Sequence, residues 1–189
     1  MKLSDPALMR ALAHPARLAI LEHLSLNEAG ATATECAEVV GLSPSATSYH
    51  LRALARVGLI VEAPGRGDGR ERVWQRKYHN FSVEGDFRAD SEDFEAERVM
   101  AETFLEYQND KIRRYFAVAR KEGDDEWYHA TTITDQTLAL TVAELAELIG
   151  KINELTEPYQ RRLRKDPPAG SRVVSLQLRA VPFTSRDVK

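Results

Sequence analysis

The feature that most constrains this chain is a change of period between residues 43 and 78. Ser43 followed by Pro44 is a helix start, an N-cap side chain ahead of a residue whose fixed φ suits the first turn. From there Thr47, Leu51 and Leu54 recur at i, i+4 and i+7, the spacing of one buried stripe, and Gly58 ends the run. The next residues lose that spacing. Residues 59–63 read as a short strand, PGRGDG at 64–69 as a turn-rich loop and residues 70–78 as a second strand, so a β-hairpin follows the helix directly. A short helix running straight into a small hairpin cannot bury its stripe alone and must be packed by what precedes it.

Two or three helices precede it. One begins near Ser4–Asp5–Pro6, with Leu12, Leu18, Leu21 and Leu24 as its core stripe and Pro15 kinking or restarting it. Thr34 is placed to cap a second, short helix over 35–40, with Gly41 as its stop. Helix, short helix, turn, capped helix and hairpin in this order make a winged helix-turn-helix. In such a unit the residues opposite the buried stripe, Pro44, Ser45, Ser48, Tyr49 and Arg52, face outward where a major groove would be read. They offer short hydroxyls, a phenol and a guanidinium. Arg56 is a turn further on, suited to a phosphate. Arg66 and Arg70 flank the hairpin tip, placed for a minor groove or its phosphates, and Arg72, Arg76 and Lys77 continue the basic strip.

The charge distribution agrees. The chain of 189 residues has a net charge of −3, yet residues 43–80 hold seven basic against three acidic residues and residues 81–110 two against ten. One cysteine, Cys36, excludes an internal disulfide and any multi-cysteine metal site within one chain. The N-terminus lacks the apolar core of a signal peptide and no run approaches a membrane span, so a cytoplasmic protein with no membrane contact is expected.

ALAHPARLAILEHL (11–24) and ATECAEVVGLSPSATSYHLRALARVGLIVEAPGRGDGRERVWQ (33–75) resemble the ArsR family of bacterial transcription regulators. The likeness covers about residues 8–78. It implies double-stranded DNA as partner, a homodimer on palindromic promoter DNA, and repression released by an effector. The metal sensors of that family carry a cysteine pair in the short helix, or Asp, His and Glu ligands on a C-terminal helix. Cys36 stands alone here and residues 91–121 contain no histidine, so no metal is expected.

The second half reads as α+β. A long helix over about 91–121, with Ala101, Phe104, Leu105, Ile112, Tyr115, Phe116 and Ala119 on one face, has a length that often means packing on a second chain. Residues 127–140 read as one or two strands. Thr141 and Glu144 form a capping box opening a helix that continues to the 161–165 cluster, and residues 172–181 read as a final strand. The expected architecture is therefore mainly α with small β: a winged helix-turn-helix in 1–80, then a dimerisation and effector region in 81–189 with a helix packed on antiparallel strands. Trp127, Tyr128, Tyr159 and Phe183 either enclose an apolar effector pocket or fill a small core or dimer interface.

His50 reads as packing or hydrogen-bonding within the helix-turn-helix and His14 as a structural cap or a phosphate contact, His23, His79 and His129 show no metal-site spacing, and Cys36 reads as a small buried residue. Phosphate-loop, nucleophile-elbow and HExxH patterns are absent, so neither enzyme activity nor a cofactor is expected. The rival to DNA binding is a winged helix used for protein contact, which would expose apolar residues at 45, 48, 49 and 52.

Overall fold

In the computed structural model, residues 2–3, 5–65, 71–78, 82–83, 91–119, 125–161 and 163–184 are described. They are mainly helical, with a small three-stranded antiparallel sheet. The chain divides into two compact units, residues 1–133 and 134–189.

The first unit opens with α1 (Pro6–Leu12) and α2 (Pro15–Leu26). Asp5 accepts the amide of Ala7 to start α1, and Pro15 starts α2 afresh behind a cap supplied by His14. Next comes α3 (Ala33–Val40), closed by Gly41 in the left-handed conformation at φ 66°. Its cap is Thr32, not the expected Thr34. Thr32 has Glu35 three residues on, so hydroxyl and carboxylate each satisfy the other's backbone amide, a reciprocal pair that Thr34 cannot make. Helix α4 (Pro44–Arg56) starts on Ser43, whose Oγ accepts the amide of Ala46 at 3.2 Å.

The expected hairpin forms from β3 (Ile60–Ala63) and β4 (Val73–Arg76), with Ile60 opposite Arg76 and Ala63 opposite Val73. A two-residue strand not foreseen, β2 (Ala31–Thr32), pairs on the other side of β4. Gly30 allows that approach: at φ 76°, a Cβ there would meet the carbonyl oxygen of Trp74 at 2.6 Å. A second small ladder, also not foreseen, joins β1 (Lys2–Leu3) in parallel to β5 (Ser82–Val83), inside the stretch 79–90. The rest of that stretch lies outside the described residues.

All four leucines of the expected stripe, Leu12, Leu18, Leu21 and Leu24, are buried. They join Ile20, Leu51, Leu54, Ile60 and Trp74 in one core. Each such side chain stabilises the fold by about 1.5–3 kcal/mol through its removal from water. The long helix α5 (Ser91–Val118) belongs to this core as well. Ala96 and Met100 are buried in it, Phe104 and Tyr107 pack against it, and the Lys111 ammonium lies 2.6 Å from the Glu22 carboxylate of α2. One face of α5 lies on α1 and α2, and the first compact unit consequently includes it.

The expected strand over 127–140 is not formed. Residues 125–130 are the helix α6 (Asp125–Ala130), begun by acidic residues that suit the positive end of its dipole, and 131–141 take part in no helix or ladder.

The second unit contains α7 (Val142–Thr156), opened by the foreseen Thr141–Glu144 capping box. This helix stops well before residue 165. Pro158 has no amide to continue the helical hydrogen bonds, and Glu157–Tyr159 tightens into a 3₁₀ turn, so Arg161 and residues 163–165 are not at a helix end. Residues 171–184 take part in no helix or ladder, and the expected final strand over 172–181, with its helix-on-sheet layer, is absent among the described residues. No described residue of this unit is buried.

Candidate nucleic-acid interface

Helix α4 has two chemically different sides. Thr47, Leu51 and Leu54 are fully buried, while Pro44, Ser45, Tyr49, Arg52 and Arg56 are exposed and Ser48 is half-buried. Positions 45, 48, 49, 52 and 56 follow i, i+3, i+4, i+7 and i+11, so the polar residues share one face. Tyr49 presents 59% of its surface to solvent, a large exposure for an aromatic residue. Arg52 and Arg56 form no ion pair among the described residues, which leaves their guanidinium donors for an external acceptor.

The orientation of α4 is held by a cluster behind it. Arg17 on α2 donates from Nε to Nδ1 of His50 at 3.4 Å and from Nη1 to the carbonyl of Ala11 at 2.9 Å, tying α4 to the end of α1. His14 accepts the amide of Ala16 on its own Nδ1 at 3.1 Å and lies 4.5 Å from His50, ring centre to ring centre. Both rings act as acceptors through Nδ1 and are therefore neutral there. Burial lowers the pKa of each below its ordinary 6.5, and Arg17 lowers both further, as does His14 for His50. The packing and capping roles expected of His50 and His14 are thus the observed ones. Arg17 was not singled out in the sequence, although it stands in the P-A-R-L stretch after the capping histidine.

The basic residues of the hairpin separate. Arg72 is exposed at the wing, 3.8 Å from the Glu62 carboxylate in a pairing that water largely screens. Arg76 is not an outward contact. It lies opposite Ile60 in the ladder and so shares the core face of β4, where its Nη1 donates to Ser25 Oγ and to the carbonyl of Leu21 at 3.4 Å. Burial lowers its pKa, with Glu22 acting in the opposite sense. Arg66 and Arg70 lie outside the described residues.

Cys36 is fully buried, and burial, aided by Glu35, pushes its thiol up to about 11. It stays protonated at neutral pH and is neither nucleophile nor ready ligand. The four aromatics of the expected effector pocket are divided between the units. Trp127 and Tyr128 lie half-buried on α6, with Tyr128 edge-on to Phe116 at 6.3 Å. Tyr159 is exposed, carrying the Arg164 guanidinium 5.2 Å over its ring, and Phe183 is exposed as well. The antiparallel strands that were to enclose such a pocket are not formed among the described residues.

Comparison with known proteins locates this face in a familiar domain. Residues 12–63 match the family model of a helix-turn-helix domain. Over 54 residues the chain is 48% identical to the HTH-type transcriptional regulator YgaV of Escherichia coli (strain K12), covering 29% of this chain and 54% of that protein. The chain thus spans about half the length of the curated relative it matches.

Proposed function

We propose that this chain, which carries an ArsR-type helix-turn-helix domain at its N-terminus, is a sequence-specific DNA-binding transcription regulator, a homodimeric repressor on an inverted-repeat operator. The observation that carries the reading is the two-sided α4: a fully buried stripe of Thr47, Leu51 and Leu54 behind an outward face of exposed Pro44, Ser45, Tyr49 and Arg52 and half-buried Ser48. That face has the donors, acceptors and phenol suited to base edges, with Arg56 a turn away for a phosphate. Arg72 at the wing, together with Arg66 and Arg70, would extend the contact along the backbone. An apolar protein-docking face would look different at positions 45, 48, 49 and 52.

Dimerisation is supported by the other side of α5. Opposite the core-facing Ala96, Met100 and Tyr107 runs a stripe of Phe94, Ala101, Leu105, Ile112 and Phe116, with Phe94, Leu105 and Phe116 exposed. Two copies joined there would offer two recognition helices to an operator with half-sites about 34–36 Å apart. A cysteine-pair metal site is not part of this reading, since Cys36 is the one cysteine of the sequence.

The test is to retain fragmented genomic DNA on the purified protein at near-physiological salt and sequence it. The expected result is enrichment of a few promoter regions sharing an inverted repeat, with affinity that falls steeply with salt. Retention equal to that of random DNA would refute the reading.

A further inference from the structure

The buried side of α4 carries two polar side chains, Thr47 and His50. The Thr47 hydroxyl meets no hydrogen-bond partner among the described residues. Leu51 and Leu54, the other buried residues there, hold the helix down through apolar contact, which is non-directional and does not fix its rotation. The directional tie on that side is the bond from Arg17 Nε to His50 Nδ1 at 3.4 Å. Arg17 is itself anchored, donating from Nη1 to the carbonyls of Arg10 at 3.4 Å and Ala11 at 2.9 Å. Next to the tie, the Tyr49 ring of the outward face stands edge-on to His50 at 5.6 Å.

We infer that Arg17, His14 and His50 form an acid-sensitive latch on α4, which holds that helix in its reading orientation only while both imidazoles are neutral. The inference rests on the reading of α4 as the helix that contacts DNA. An imidazolium has a donor on each nitrogen, and a guanidinium has donors only. Protonated His50 turns an N–H toward the Arg17 Nε–H, so the bond is lost and two positive charges meet where it was. Protonated His14 likewise loses the amide of Ala16 and adds a charge 4.5 Å from the His50 ring. Among the described residues the carboxylates nearby are engaged elsewhere or face water. Asp5 caps the far end of α1, and Glu22 on α2 is taken by Lys111 and Tyr107. Glu35 on α3 accepts the amide of Thr32, Glu38 is exposed, and Glu62 on β3 lies by Arg72. His23 on α2 is bonded to Asn27, and the exposed Arg10, Arg52 and Arg56 only add positive charge. The charged groups that act on the two rings are Arg17 on both and His14 on His50, all opposing protonation.

The test compares a promoter fragment retained in the genomic selection with random DNA of equal length. Affinity of the full-length protein for each is measured between about pH 7.5 and 5 at constant ionic strength, with circular dichroism confirming the fold. Promoter affinity should be flat above pH 6.5, the ordinary value of the ring, and fall below it. The fall should reach up to about tenfold per pH unit for each ring that must shed its proton on binding. Random-DNA affinity should hold or rise, since added positive charge favours phosphates. In the double variant His14→Asn/His50→Asn the amide oxygens accept in place of Nδ1 and do not titrate, so the promoter curve should stay flat. Promoter affinity that holds or rises as folded wild type is acidified, a matching fall on random DNA, or the same fall in the double variant would overturn the inference. Nuclear magnetic resonance on the free wild type covers a poorly folded variant. Protonation of the His50 ring should coincide with shifts of the amides of 44–56 and with loss of their hydrogen-exchange protection, corrected for intrinsic rates. Protonation that leaves those amides unmoved would overturn it too. If no promoter is retained at any pH, the function proposed above fails, and the resonance measurement still decides the latch.

Discussion

Helices α3 and α7 begin with the same four-residue device, Thr32–Glu35 in one and Thr141–Glu144 in the other, yet their fates differ. In α3 the cap precedes Cys36 and Ala37, both buried under the core of the first unit; in α7 no residue is buried. The hydrogen bonds that start a helix are complete within four residues and form wherever the sequence permits. Burial needs other elements to arrive, and in residues 1–133 α1, α2, α4, the sheet and α5 all supply them. The first unit is thus a fold stabilised from within, and the second has the local structure of a fold whose apolar surface is still exposed.

The largest expected effect is on the first unit. Leu51→Ala removes a fully buried side chain shared by α4 and the core, and should destabilise unit 1 by about 2–5 kcal/mol in urea unfolding, independent of protein concentration. A loss below about 1 kcal/mol would mean that the core is not what holds α4.

The next pair contrasts two arginines of the same domain. Arg52→Ala should weaken specific DNA binding by about 1–3 kcal/mol while leaving the melting temperature unchanged. Arg76→Ala should do the reverse, lowering stability by about 1–3 kcal/mol through loss of its bonds to Ser25 and Leu21, with DNA affinity of the folded protein preserved. If both variants lost DNA binding and kept full stability, the inward placement of Arg76 would be wrong.

Capping gives a smaller and more direct comparison. Thr32→Ala should lower the unfolding temperature of unit 1 by an amount equivalent to about 0.5–2 kcal/mol, whereas Thr141→Ala should reduce helical signal without moving that transition. Matching shifts in unit 1 would show that the two units unfold as one.

The smallest effect is on pH dependence. His14 and His50 have pKa values held below 6.5 by burial and by Arg17. Above pH 6.5 they are neutral whether folded or unfolded, and their contribution is fully present. As the pH falls below that value the unfolded chain takes up protons first, so stability declines until the pH has passed the lower, folded pKa values. Melting curves between pH 7.5 and 5 should show this decline. His14→Asn, which keeps a capping side chain, should make it shallower.

Much of the first unit was legible in the sequence because its signals are short-range and redundant. Ser43–Pro44, the Thr47–Leu51–Leu54 stripe and Gly58 each mark α4, and the break in period at residue 59 marks the hairpin. The outward face of α4 followed from helical geometry alone. Arg76 was misread because a row of basic residues suggests a surface strip, yet strand alternation already puts it on the side of Trp74, a core residue. Thr34 offers the same hydroxyl as Thr32, but only Thr32 has a glutamate three residues on. Residues 127–140 misled for another reason: their aromatic and β-branched content suits a strand, but a strand also needs a neighbour, and the acidic Asp125–Glu126 start favoured one and a half turns of helix. In α7 the apolar spacing runs on past Pro158, whose missing amide ends the helix regardless of pattern.

In the proposed function the exposed face of α4 reads DNA in the major groove. Methylation interference at guanine N7 on a retained promoter fragment tests it most directly, since N7 lies in that groove. Two clusters of interfering guanines, related by a two-fold axis and separated by about 34–36 Å along the duplex, are the predicted result, with both clusters lost in Tyr49→Ala. Binding that tolerates N7 methylation throughout, or that Tyr49→Ala leaves unchanged, would contradict it.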